Sequence, residues 1–154
     1  TAINGKNCVK ISGGTFTLDA GTAGIKSDNE EEDNLGYVYI SGGTFVITAG
    51  GKGIMGYAAL EIAGGTFEIT SADDALHTNG SLALTGGDFI IRAGDDGIHA
   101  DADVSISGGT LAIAESYEGI EGANIYISGG TISLVSSDDG LNAAGGSDDD
   151  RPRA

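Results

Sequence analysis

Positive charge is scarce in this chain: 7 Lys and Arg stand against 23 Asp and Glu, a formal net charge of −16. Nucleic acid and anionic lipid both select basic stripes, and none exists here, which argues against both and favours a cation as partner. Cysteine is almost missing. The single Cys8 excludes an intramolecular disulfide and, beside Val9, reads as a packing thiol. No run of 18 apolar residues is present, so no transmembrane helix is expected. The first residues carry no signal-peptide pattern. Ile3-Asn4-Gly5 aligns with Ile98-His99-Ala100, so the chain opens in mid-coil, and the export signal and N-terminal cap are expected outside it. No apolar segment sustains a 3.6-residue period, which disfavours helix.

Glycine is abundant, with 28 residues, and it is ordered. The phrase Ile-Ser-Gly-Gly-Thr-Phe recurs in six variants, its glycine pairs at 13–14, 42–43, 64–65, 86–87, 108–109 and 129–130, spaced by 29, 22, 22, 22 and 21 residues. A period so short belongs to a solenoid whose units bury apolar surface only against neighbours. A disordered glycine-rich chain would lack the periodic Phe and Ile positions seen here.

Each repeat holds three short apolar alternations. Val38/Ile40 and Leu60/Ile62 typify the first, Phe45/Ile47 and Phe67/Ile69 the second, and single residues from Ile3 through Ile54 and Leu76 to Leu141 the third. Three strands and three turns in about 22 residues leave no room for a crossover helix. The expected fold is therefore all-β: a right-handed parallel β-helix, three strands per coil, over residues 1–144, followed by an acidic Gly-rich segment at 145–154. Paired glycines turn a corner by positive φ or close backbone approach. Asp28-Asn29-Glu30-Glu31-Glu32-Asp33 fills the seven-residue excess of the first repeat and reads as a protruding solvated loop.

The other acids align. Asp73-Asp74, Asp95-Asp96, Tyr117-Glu118 and Asp138-Asp139 fall at one corner, followed by His77, His99, Glu121 and Asn142, with Asn79 and Asp101 two residues further on. Carboxylates stacked at a strand pitch of about 4.8 Å repel, and a cation between coils relieves them. Oxygen donors point to Ca2+ rather than zinc. Asp73, Asp74, Asp95, Asp96, Asp101, Glu118, Asp138 and Asp139 are the candidate ligands. Asp-Asp-Gly is also ordinary turn chemistry. The coils at Thr22-Ala23-Gly24 and Gly51-Lys52-Gly53 lack these acids, so metal is expected from the third full coil onward.

The repeated Ile-Ser-Gly-Gly-Thr-Phe units, Asp95-Asp96-Gly97-Ile98-His99-Ala100, Asp138-Asp139-Gly140-Leu141-Asn142-Ala143 and Gly145-Gly146-Ser147-Asp148 together resemble a bacterial surface carbohydrate-binding domain family, itself similar to calcium-dependent pectate-lyase β-helices. The resemblance implies an extracellular or surface-anchored module that binds plant-cell-wall-type polysaccharide, cellulose-like or pectin-like, with bound calcium.

Candidate sugar contacts are the outward Tyr39 and Tyr126, together with Tyr117, His77, His99 and Asn142 near the acid corner. For His77 and His99 an ordinary exterior position is the plainer reading. Catalysis by β-elimination needs a base beside the metal. Lys26 shares the outward position of His77 but lies about 10–15 Å from the nearest acid corner at the strand pitch, and Arg92 is nearer. Neither makes a convincing base, so no catalytic residue is assigned. A pectate-type lyase remains the first alternative. A structural adhesin or an ice-binding solenoid displaying Thr15, Thr44, Thr66, Thr110 and Thr131 is the second, weakened by Asp88, which interrupts the threonine column.

Overall fold

The computed structural model describes residues 1–144; the acidic segment expected at 145–154 lies outside the described residues. Three parallel sheets wrap the chain as a β-helix. The first sheet stacks six strands from Cys8–Ile11 to Asn124–Ile127, the second six from Thr15–Ala20 to Thr131–Leu134, and the third seven from Ile3–Asn4 to Leu141–Asn142. Every strand pairs with its counterpart one coil away, so the sequence repeat becomes a spatial one. Register is strict: Phe45 pairs with Phe67 and Phe67 with Phe89, Leu76 with Ile98 and Ile98 with Ile120. One irregularity interrupts it, a shift between Ile91 and Arg92 that pairs Arg92 with Glu115.

The three apolar alternations all point inward, as expected. Ile25, Ile54, Leu76, Ile98 and Ile120 line the third side and are completely buried. The phenylalanines 16, 45, 67 and 89 stack with centroids 4.8, 4.7 and 4.6 Å apart and planes within 7° of parallel. That spacing is the strand pitch itself, so backbone pairing sets the ring geometry. Burial weakens at the ends. Phe16 and Leu18 are only partly buried, and Leu141, expected on the inward third side, is 51% exposed because no further coil covers it among the described residues.

The glycine pairs behave as their repetition requires. A Cβ on Gly64 would lie 2.6 Å from the Ser41 carbonyl oxygen of the preceding coil, and Gly65 takes φ +110°. One glycine is demanded by proximity and the next by conformation. The loop at 28–33 is solvated except for Asn29, which is buried and anchors it. The Asn29 Oδ1 accepts the N–H groups of Glu31 and Glu32 at 3.0 and 3.1 Å, and its Nδ2 donates to Asn7 Oδ1 at 2.9 Å.

Replacing Phe67 with Ala in the middle of the ring stack should cost about 3–5 kcal/mol through lost transfer energy and an unfilled cavity. Phe16→Ala, at the half-covered end, should cost clearly less. Denaturant melts of the two variants check this, and equal costs would contradict the stack.

Candidate functional site

The acid corner lies between the second and third sheets. Main-chain bonds run from Gly53 N–H to the Asp74 carbonyl, Ala75 to Asp96, Gly97 to Glu118 and Gly119 to Asp139, at 3.0–3.1 Å. They place Lys52, Asp74, Asp96, Glu118 and Asp139 in one column. Beside it stand Gly51, Asp73, Asp95, Tyr117 and Asp138. Asp74 and Asp96 are fully buried and Glu118 is 2% exposed, whereas Asp138 and Asp139 are exposed. The buried members also serve as turn caps between coils: Asp74 Oδ1 accepts the Asp96 N–H at 2.9 Å, and Asp96 Oδ1 accepts the Glu118 N–H at 3.2 Å. Turn chemistry and ladder are thus one arrangement. Asp74 and Asp96 each satisfy a backbone N–H of the following coil.

His77 and His99 depart from the exterior reading. They are 6% and 0% exposed, and their rings stack at 4.9 Å. Both lie on the outward side of the third sheet, in register with Met55, Glu121 and Asn142, but acid side chains close over them. His77 Nδ1 is 2.8 Å from Asp74 Oδ2. His99 Nδ1 lies 2.7 Å from Glu121 Oε1 and 3.4 Å from Asp96 Oδ2, while its Nε2 lies 2.8 Å from Asp101 Oδ1. Carboxylates face both ring nitrogens of His99: the Nε2 contact with Asp101 has hydrogen-bond geometry, whereas the Nδ1 contact with Glu121 is an ion-pair approach only. Rings so enclosed present no face to a sugar. Asp101 binds His99 and Asn79 instead of joining the other acids, and Asn142 donates to both Glu118 oxygens at 2.9 Å.

Four groups bring possible metal-ligating atoms within 4.8 Å of one another: Asp73, Asp74 and Asp95; Asp74, Asp96 and His99; Asp96, Glu118 and Glu121; and Glu118, Asp138 and Asp139. The first contains an internal cation that a count of acids overlooks, since Lys52 Nζ donates to Asp73 Oδ2 at 2.7 Å. Its signal was positional, because Lys52 heads the acid column. The second and third share Asp96, and the His99 ring belongs to the second. The fourth sets the buried Glu118, both of whose oxygens accept the Asn142 amide, beside exposed Asp138 and Asp139, and the two aspartates can supply up to four of the 6–8 oxygens that Ca2+ takes. That donor set fits a hard cation.

Tyr39 and Tyr126 share one outward column of the first sheet but stand four strand steps apart, about 19 Å at the usual pitch. They cannot form one platform. Tyr126 is 57% exposed; Tyr39 is half-buried beside Lys10, Ile11, Ser12 and Ser41, around a hollow of about 260 Å³. Tyr117 is half-buried at the acid corner. Lys26 pairs with Asp28 at 3.3 Å, and Arg92 is exposed on the second sheet, away from the acids' strand. A larger groove, about 340 Å³, lies over the outer face of the second sheet between Thr44 and Ala112. Its Thr44, Thr66, Asp88 and Thr110 belong to the column already legible in the repeats, whereas Val46, Glu68, Ile90 and Ala112 differ from coil to coil and carry no motif.

A three-sided parallel β-helix with an acid corner between two of its sheets defines the class of β-solenoid domains. Within that class the chain belongs to the carbohydrate-binding domain-containing protein family, whose model matches residues 1–119 and, again, 59–148. No curated protein matches, and no solved structure matches. Among the described residues no helix is long and apolar enough to cross a membrane.

Removing the imidazole at the centre of the buried acids should be severe: His99→Ala leaves Asp96 and Glu121 facing each other without it and is expected to cost about 3–5 kcal/mol. Lys52→Ala removes a partly solvated pair and should cost less than about 1 kcal/mol. Thermal or denaturant unfolding of both variants makes the comparison.

Proposed function

We propose that the protein is a non-catalytic, extracellular polysaccharide-binding module, secreted or held at a bacterial cell surface, with calcium at its acid corner. The carrying observation is the family match over essentially the whole chain. Cellulose-like and pectin-like plant-cell-wall polysaccharides are the glycans to test first. Calcium would be held by Glu118, Asp138 and Asp139, where it would offset stacked negative charge and stiffen the last described coil. Asp73, Asp74 and Asp95 are the second choice, since Lys52 already supplies positive charge there.

One observation favours the lyase reading enough to test it. Lys52 is the basic residue that the fold brings to an acid group, and a base beside a metal is what β-elimination requires. An ammonium donating to Asp73 is oriented as an ion-pair donor rather than as a proton acceptor, so binding without cleavage is the better account.

The chain should therefore retain insoluble polysaccharide without releasing shorter or unsaturated products. Product formation abolished by Lys52→Ala would establish the lyase instead. Chelation should lower the melting temperature, because a ligand at 100 times its Kd stabilises the folded state by about 2.7 kcal/mol, and Asp139→Asn should blunt that response. A melt indifferent to chelator would leave the acids as turn and ion-pair residues only.

A further inference from the structure

Resting on the polysaccharide-binding reading, we infer that the glycan lies on the outer face of the second sheet, centred on Ile90, and that it is an uncharged, unbranched chain. Val46, Glu68, Ile90 and Ala112 occupy one outward column on four successive coils. In the parallel column beside it, threonines flank Asp88. Val46 and Ile90 are 41% and 51% exposed, aliphatic side chains on a face otherwise formed by threonines, acids and Ala112. The groove over them, about 340 Å³, is at the low end of the range for small-ligand sites.

The lining chemistry selects the occupant. Aliphatic side chains offer apolar contact to the C–H faces of sugar rings, and the threonine hydroxyls both donate and accept at strand-pitch intervals. Glu68 and Asp88 are acceptors only, suited to the hydroxyl donors that line a neutral glycan. Lysine and arginine are missing from the groove lining. A polyuronate would therefore bring its carboxylates against two others, with no cation between them, on a chain of net charge −16. The same two carboxylates disfavour a second copy of this chain packed face to face, since a two-fold contact would oppose like charges. The widely separated tyrosines cannot offer a continuous surface of this kind.

The test is titration of the whole chain with cellohexaose, as an uncharged probe, and with oligogalacturonate of equal length. Sedimentation is measured alongside, for Ile90→Ala, Val46→Ala and, as a control on the first sheet, Ser105→Ala. Both aliphatic positions are exposed, so the variants should melt like the parent. Expected is preferential binding of the uncharged probe, weakened about tenfold or more by Ile90→Ala and by a smaller factor by Val46→Ala, and unaffected by Ser105→Ala. If the chain binds cellohexaose and both aliphatic variants bind it equally well, the groove is the wrong face while polysaccharide binding stands. Preferential binding of oligogalacturonate that Ile90→Ala abolishes overturns the uncharged class. A dimer dissolved by Ile90→Ala makes the face a self-association surface instead. Failure of the parent to retain any polysaccharide overturns the general reading and this one with it.

Discussion

Every side chain in the interior coils has its counterpart from the neighbouring coil about 4.8 Å away, because parallel strands in strict register allow nothing else. That constraint sorts residue types. An apolar column gains from repetition, since each ring or branched side chain covers the next, and the four phenylalanines show this directly. A glycine column is self-consistent because every coil turns the same corner. A charged column is the difficult case: like charges at that pitch repel, and burial removes the water that would screen them.

The acid corner solves the difficulty differently along its length. At Asp73 the relief is an ammonium, from Lys52 one coil away. Around Asp74, Asp96 and Glu121 it comes from His77 and His99, stacked between carboxylates. At Glu118, Asp138 and Asp139 the neighbouring groups are oxygens and the Asn142 amide. The series passes from a fixed internal cation, through imidazoles, to carboxylates met by a neutral amide. Asp74 and Asp96 therefore have a structural task whether or not an ion is bound, since each also accepts a backbone N–H of the following coil.

A β-helix is a support for surfaces, and the fold does not say which of its three faces works. Here the third face is closed over by its own acids and histidines, and the first carries two distant tyrosines. The second remains open, with aliphatic side chains set among hydroxyls and carboxylates. Ligand contact on such a face draws one or two residues from each of several repeats, so it accumulates along the axis as the stability of the solenoid does.

What was legible in the sequence is what repeats. The glycine pairs, the Phe and Ile columns and the period near 22 residues determine the parallel β-helix by themselves, because register turns a sequence period into a spatial column. The alignment of the acids was legible for the same reason. Exposure was not. His77 and His99 point outward yet are buried, with Asp74 against His77 and Asp96, Asp101 and Glu121 against His99, and side-chain direction along a strand does not reveal what covers it. Lys52 was passed over because its own coil contains no acid, although the next coil places one beside it. Asn29 sits in a solvated run but is the residue that ties that run down. The sequence by itself determined columns, corners and core, all of which follow from periodicity. Only the tertiary structure decided which outward columns meet solvent and which cations meet which acids, because those contacts form between neighbouring columns and coils, where side-chain length and orientation, not period, set the distance.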